Sequence, residues 1–128
     1  MRSIFLVEDD ADISRALSLR LGAAGYRVTT AADGILAVQG FEDLRPDLVV
    51  LDVSMPGNSG FEVARRLREH PALAATPLIF ITASKRPGLR ERAERLGAIG
   101  FFEKPFDTHE LLTLIGLTLG AAPPRATA

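Results

Sequence analysis

One stretch limits what this chain can fold into more than any other. Leu48-Val49-Val50-Leu51 runs without a break into Asp52. An apolar run with no alternation suits a strand buried on both faces, the situation of a parallel sheet. Asp52 then stands where the strand leaves the core. In open α/β sheets, ligands bind beyond the carboxyl ends of the strands. Val53-Ser54-Met55-Pro56-Gly57 follows with Pro-Gly turn chemistry rather than more strand. Position alone makes Asp52 the candidate reactive group.

Four further runs read as strands. Ile4 to Val7 ends in Glu8-Asp9-Asp10, Tyr26 to Thr30 forms a second, Leu78 to Ile81 ends at Thr82-Ala83-Ser84, and Ile99 to Phe102 ends at Glu103-Lys104-Pro105. Helical patterns separate them. Ile13, Ala16, Leu17, Leu21 and Ala24 share one face, with Gly25 as the stop, and either Asp10 or Asp12 can cap or charge the start. Asp33 opens a second helix with Ala37, Val38, Phe41 and Leu44 inward, and Pro46 ends it. Phe61, Ala64 and Leu67 line a third, closed by His70-Pro71. Leu89, Ala93 and Leu96 line a fourth, stopped at Gly97. Asp107 caps a fifth, apolar from Leu111 to Leu119. Five strands alternating with five helices predict βα units, right-handed crossovers and a parallel sheet with helices on both faces.

Composition narrows the chemistry. At 128 residues the chain has the length of one domain, residues 1–120, with 121–128 reading as an Ala/Pro-rich tail or the start of a linker. It has no cysteine, which removes disulfides, thiolate metal sites and cysteine nucleophiles. Fifteen basic and sixteen acidic residues give no charge excess that would favour nucleic acid or a membrane surface. No apolar run approaches the ~18 residues of a membrane span, and the start is too short for a signal peptide, so a cytoplasmic location is expected. Arg65, Arg66, Arg68, Arg86, Arg90, Arg92 and Arg95 alternate with Glu62, Glu69, Glu91 and Glu94 and read as solvated faces; His70 and His109 read as surface residues.

Parallel strands would place Glu8-Asp9-Asp10, Asp52, Thr82 and Lys104 on one sheet edge. Crowded carboxylates disfavour full ionisation, and a compact hard cation relieves this. Sulfur-free oxygen donors suit Mg²⁺. A carboxylate beside such an ion can attack phosphorus and become an aspartyl phosphate. An ammonium and a hydroxyl are the groups that would steady the phosphoryl oxygens.

Val7-Glu8-Asp9-Asp10, Asp52 with Met55-Pro56-Gly57, Thr82-Ala83 and Lys104-Pro105-Phe106 together resemble the receiver domains of two-component response regulators, over about residues 3 to 119. The resemblance implies a flavodoxin-like doubly wound sheet of strand order 2-1-3-4-5 with five helices. It implies that Asp52 accepts a phosphoryl group from a histidine kinase or histidine phosphotransfer protein. It further implies that Asp9, Asp52 and the backbone carbonyl of Ser54 hold Mg²⁺, with Glu8 acting through water. Lys104 would contact the carboxylate or phosphoryl oxygens, Thr82 would bond a phosphoryl oxygen, and Lys104-Pro105 would be a cis peptide. Phe101 takes the aromatic switch position, and the surface of the fourth helix, fifth strand and fifth helix would repack or support a homodimer. Phe101 has no hydroxyl, so any switch here works without a hydrogen bond from that ring.

A small Mg²⁺-dependent aspartyl-phosphate phosphatase or phosphotransferase is the alternative. That class would want a second Asp two residues after the first, where this chain has Ser54. A nucleotide-binding flavodoxin-like module is weakened because neither Gly-x-Gly-x-x-Gly nor Gly-x-x-x-x-Gly-Lys is present.

Overall fold

The computed structural model describes residues 1–55 and 59–120. The expected Pro56-Gly57 turn and the tail at 121–128 lie outside the described residues. The elements are β1 (Ser3–Val7), α1 (Ala11–Ala23), β2 (Arg27–Ala31), α2 (Gly34–Leu44), β3 (Leu48–Asp52), α3 (Gly60–Glu69), β4 (Leu78–Thr82), α4 (Leu89–Arg95), β5 (Gly100–Glu103) and α5 (Thr108–Leu119). All strand pairs are parallel, in the order β2-β1-β3-β4-β5. This is the expected flavodoxin-like doubly wound sheet.

Successive strand side chains point to opposite faces, and two cores result. Phe5, Val7, Val49, Leu51, Leu78 and Phe80 meet Ala37 and Phe41 of α2, Phe61, Ala64 and Leu67 of α3, and Leu89 and Ala93 of α4. Ile4, Leu6, Leu48, Val50, Ile79 and Ile81 meet Leu17 and Leu21 of α1 and Leu111, Ile115 and Leu119 of α5. Every residue of β3 and β4 is buried, because helices cover both faces; the edge strands β2 and β5 are mostly half-exposed.

Short polar side chains start four helices. Asp10 accepts the N–H groups of Asp12 and Ile13, which decides between the two capping candidates for α1. Asp33, Ser59 and Asp107 do the same for α2, α3 and α5. Gly25 and Gly97 follow α1 and α4 with φ of 102° and 80°, a conformation open to glycine at little cost.

Several details differ from the sequence pattern. Tyr26 is a buried core residue ahead of β2 rather than its first residue. Ile99 is 41% exposed and β5 starts one residue later, running on to Glu103. Ala16 is exposed, and Leu44 is at the exposed end of α2. His70 is half-buried, and its Nδ1 accepts the N–H of Ala72 in the turn after α3. No helix among the described residues is long and apolar enough to cross a membrane.

Candidate functional site

The sheet delivers Glu8, Asp52, Thr82 and Lys104 to one edge, each at or just past the end of a neighbouring strand. Glu8 is 2% exposed and Asp52 4%; Thr82 is fully buried. Asp9 is exposed, and Asp10 has turned away to cap α1. Carboxylate oxygens of Glu8, Asp9 and Asp52 all lie within 4.8 Å of one another.

Each of these groups is held in place. Glu8 Oε2 accepts the N–H of Asp10 at 3.0 Å. Asp52 Oδ1 accepts the N–H of Ser54 at 3.2 Å. Thr82 Oγ1 accepts the N–H of Ser84 at 3.0 Å, and the carbonyl of Thr82 accepts the N–H of Lys104 at 2.7 Å. The Lys104–Pro105 peptide is cis. Lys104 Nζ lies 2.7 Å from Glu8 Oε1 and 3.3 Å from Asp52 Oδ2. The resemblance implies a contact of Lys104 with the carboxylate or phosphoryl oxygens; Lys104 reaches both buried carboxylates, and the nearer is that of Glu8. Glu8 Oε1 has this ion pair and no well-aligned hydrogen bond.

The electrostatics are unbalanced. Three carboxylates face one ammonium. Burial, reinforced by the hydrogen bond and charge of Asp52, pushes the Glu8 carboxyl up to about 7, although Lys104 pulls the other way. Burial alone would lower the Lys104 pKa, but the two carboxylates outweigh it and hold the ammonium above its ordinary value. A buried anion that ionises this reluctantly even beside an ammonium has too little positive charge around it. The donor set is all oxygen and carries excess negative charge, so it fits a small divalent cation of the Mg²⁺ type.

Phe101 is half-buried against the core on the α4 side of the sheet, and the guanidinium of Arg90 sits 4.9 Å from its ring centroid. Arg65 and Arg66 do pair with Glu62 and Glu69 on an exposed face. Arg68 does not. It folds back to donate to the carbonyls of Leu96, Gly97, Ala74 and Thr76, a role its place in an Arg/Glu-rich helix gives no sign of.

A doubly wound parallel sheet with buried carboxylates and a lysine gathered beyond its strand ends defines a flavodoxin-like domain with an acid pocket. The model of the response regulator receiver domain matches residues 4–116, and the chain belongs to that family, the phosphorylatable switches of two-component signalling. It is 37% identical over 121 residues to the phosphate regulon transcriptional regulatory protein PhoB of Rhizobium meliloti, an alignment covering 94% of this chain and 53% of that protein. The chain spans about half the length of the curated relatives it matches. Among solved structures it resembles the chemotaxis protein CheY4 of Vibrio cholerae, with a TM-score of 0.85, 32% identity and coverage of 92% of this chain and 98% of that one. It also resembles the receiver domain of the sensor histidine kinase PA1611 from Pseudomonas aeruginosa, with a TM-score of 0.84, 33% identity and coverage of 93% and 98%. That structure has a magnesium ion coordinated in its active-site cleft.

Proposed function

We propose that Asp52 is the phosphoacceptor and that a histidine-phosphorylated kinase or phosphotransfer protein is the donor. The observation that carries this is the clustering of Glu8, Asp9 and Asp52 with Lys104 within 3.3 Å of both buried carboxylates. An oxygen of Asp52 attacks phosphorus, the phosphorus–nitrogen bond to the donor imidazole breaks, and the imidazole leaves with its electron pair. Asp9, Asp52 and the Ser54 carbonyl would hold Mg²⁺, with Glu8 reaching it through water. Bound there, the ion would neutralise charge on the transferring oxygens. Lys104 moves from the carboxylates to a phosphoryl oxygen, and the Thr82 hydroxyl donates to another.

The new group adds about 1.5 to 2 negative charges. As Thr82 is drawn toward it, Phe101 turns into the space released and gives up its contact with Arg90. The face made by α4, β5 and α5 then repacks as a two-state element. A groove of about 430 Å³ lined by Ile13, Ala16, Leu17, Pro105 and Phe106 opens beside Lys104 and would seat the donor protein. The unit acts as a switch and not as an enzyme on external substrates, beyond promoting its own phosphorylation and dephosphorylation. A cytoplasmic setting fits such a donor. The relatives' names point to transcriptional output, which this unit would control without touching DNA itself.

The test is incubation with Mg²⁺ and a small acyl phosphodonor, followed by intact-mass measurement. A single base-labile phosphoryl addition, absent in Asp52→Ala, is the expected result. Catalytic phosphate release from many esters would instead favour the phosphatase reading.

A further inference from the structure

Gly60 is the first residue of α3 and is buried. A Cβ built on it would stand 2.2 Å from the carbonyl oxygen of Asp52, 2.9 Å from the Asp52 carbonyl carbon and 2.9 Å from Val53 Cα. All three are backbone atoms, so no side-chain rotation relieves the clash. Only a hydrogen fits, and the Cα–H of Gly60 points at the Asp52 carbonyl, a weak C–H···O contact. The Gly60 N–H donates to the carbonyl of Val53 at 2.8 Å. On the other side, the N–H of Val53 donates to the Ile81 carbonyl of β4 at 2.9 Å. The Asp52–Val53 peptide is thus gripped between the start of α3 and the neighbouring strand.

We infer that Gly60 is a positioning residue for phosphoryl transfer. By letting the first turn of α3 rest directly on the Asp52–Val53 backbone, it sets the direction in which the Asp52 carboxylate and the Ser54 loop leave the sheet. The inference rests on the reading of Asp52 as phosphoacceptor, but it concerns a residue that touches neither phosphorus nor metal. Displacement of the acceptor by a fraction of an ångström is the expected consequence of any side chain at this position. Misplacement on that scale weakens in-line attack and the cation site together.

The experiment compares wild type, Gly60→Ala and Leu67→Ala, all kept well below their unfolding midpoints. Leu67 lies at the other end of α3 and is fully buried, so its truncation loosens the helix without touching Asp52. The readouts are the amide shifts of Asp52, Val53 and Ser54 without metal, the Mg²⁺ dissociation constant by titration, and the labelling rate with a small acyl phosphodonor. Gly60→Ala is expected to shift those amides, weaken Mg²⁺ binding about tenfold and slow labelling by a similar factor. Leu67→Ala should lose stability and leave all three readouts near wild type. Should Gly60→Ala fail to fold, Ser59→Ala replaces it: this removes the side-chain cap on Glu62 N–H and loosens the same turn. It is expected to weaken Mg²⁺ binding a few-fold. Wild-type shifts, affinity and labelling in Gly60→Ala, or in Ser59→Ala where that variant stands in, overturn the inference alone. Loss of Mg²⁺ binding in Leu67→Ala as severe as in Gly60→Ala also overturns it. A wild type that never labels on Asp52 overturns both the inference and the reading beneath it.

Discussion

At the scale of single residues, Glu8 carries the strongest consequence. Its carboxyl is raised to about 7, chiefly by burial, against an ordinary value of 4.5. The folded protein therefore binds a proton on Glu8 between those two values that the unfolded chain releases. Stability from this group falls as pH rises from about 4.5 to about 7 and then levels off. A bound divalent cation would oppose the trend, because it would favour the ionised form. Without Mg²⁺ the melting temperature should decline across that interval, and saturating Mg²⁺ should flatten or invert the slope. Glu8→Gln removes the titrating charge while keeping the shape. It should melt higher than wild type at pH 8 without metal, by about 1 kcal/mol or more of stability, and should gain less from added Mg²⁺. Thermal denaturation at several pH values with and without the ion checks both. An unchanged pH slope in Glu8→Gln would remove Glu8 as its source. The carboxylate was visible in the chain as part of Glu8-Asp9-Asp10, but its pairing was not. Lys104 lies on a different strand end, and only the folded register puts Glu8 nearer to it than Asp52.

The elements were legible where burial acts on whole runs. Leu48 to Leu51 and Leu78 to Ile81 became β3 and β4 because every side chain there is covered, which forbids alternation. Glycine and aspartate marked helix ends through local backbone bonds, which the sequence also carries. Arg68 escaped notice because its acceptors are carbonyls, present at every residue and distinguished only by the fold. Its guanidinium joins the end of α3 to the approach to β4 and the end of α4, and burial lowers its pKa. The carbonyls of Leu96 and Gly97, just past the end of α4, thereby gain a cationic donor where helices favour one. At its other end α4 begins at Gly88, in the left-handed region and without a side-chain cap. The helix is thus fixed at the end remote from Phe101. Arg68→Met keeps most of the apolar packing and leaves these carbonyls without a donor. It should cost about 2 kcal/mol and speed amide exchange at Leu96, Gly97 and Ala98, while leaving Mg²⁺ affinity unchanged. Chemical denaturation and hydrogen exchange check this; equal protection in mutant and wild type would show that α4 is held by other means.

At the scale of the molecule, the sheet works as a collector. Residues spread over nearly a hundred positions become neighbours because all five strands run the same way and end on one edge. The two helical layers then have different tasks. One side packs α1 and α5, the other α2, α3 and α4; in the proposed switch, a change at the strand ends would reach the α4, β5 and α5 face through β5. Helix α5 retains an uncovered apolar side chain: Leu117 is 79% exposed, while Leu111, Ile115 and Leu119 of the same helix are buried. The run from Leu111 to Leu119 reads in sequence as uniformly apolar, and the fold uses only part of it. A second copy docking across α4, β5 and α5 would remove Leu117 from water, worth about 1.5 to 3 kcal/mol for each copy. Two such side chains can tip a weak dimer without any rearrangement of the core. Sedimentation of the wild type with Mg²⁺ and beryllofluoride, which imitates the phosphoryl group on a carboxylate, should then show dimer at concentrations where the untreated protein is monomeric. Leu117→Glu puts a charge where the seam would close, so it should stay monomeric in both conditions. Its Mg²⁺ affinity should match wild type, since the side chain is exposed on the outer side of its helix and is not among the carboxylates, hydroxyl and ammonium of the pocket. A wild type that remains monomeric with the mimic, or a Leu117→Glu protein that dimerises as well as wild type, would exclude this seam and leave the output to a different partner surface.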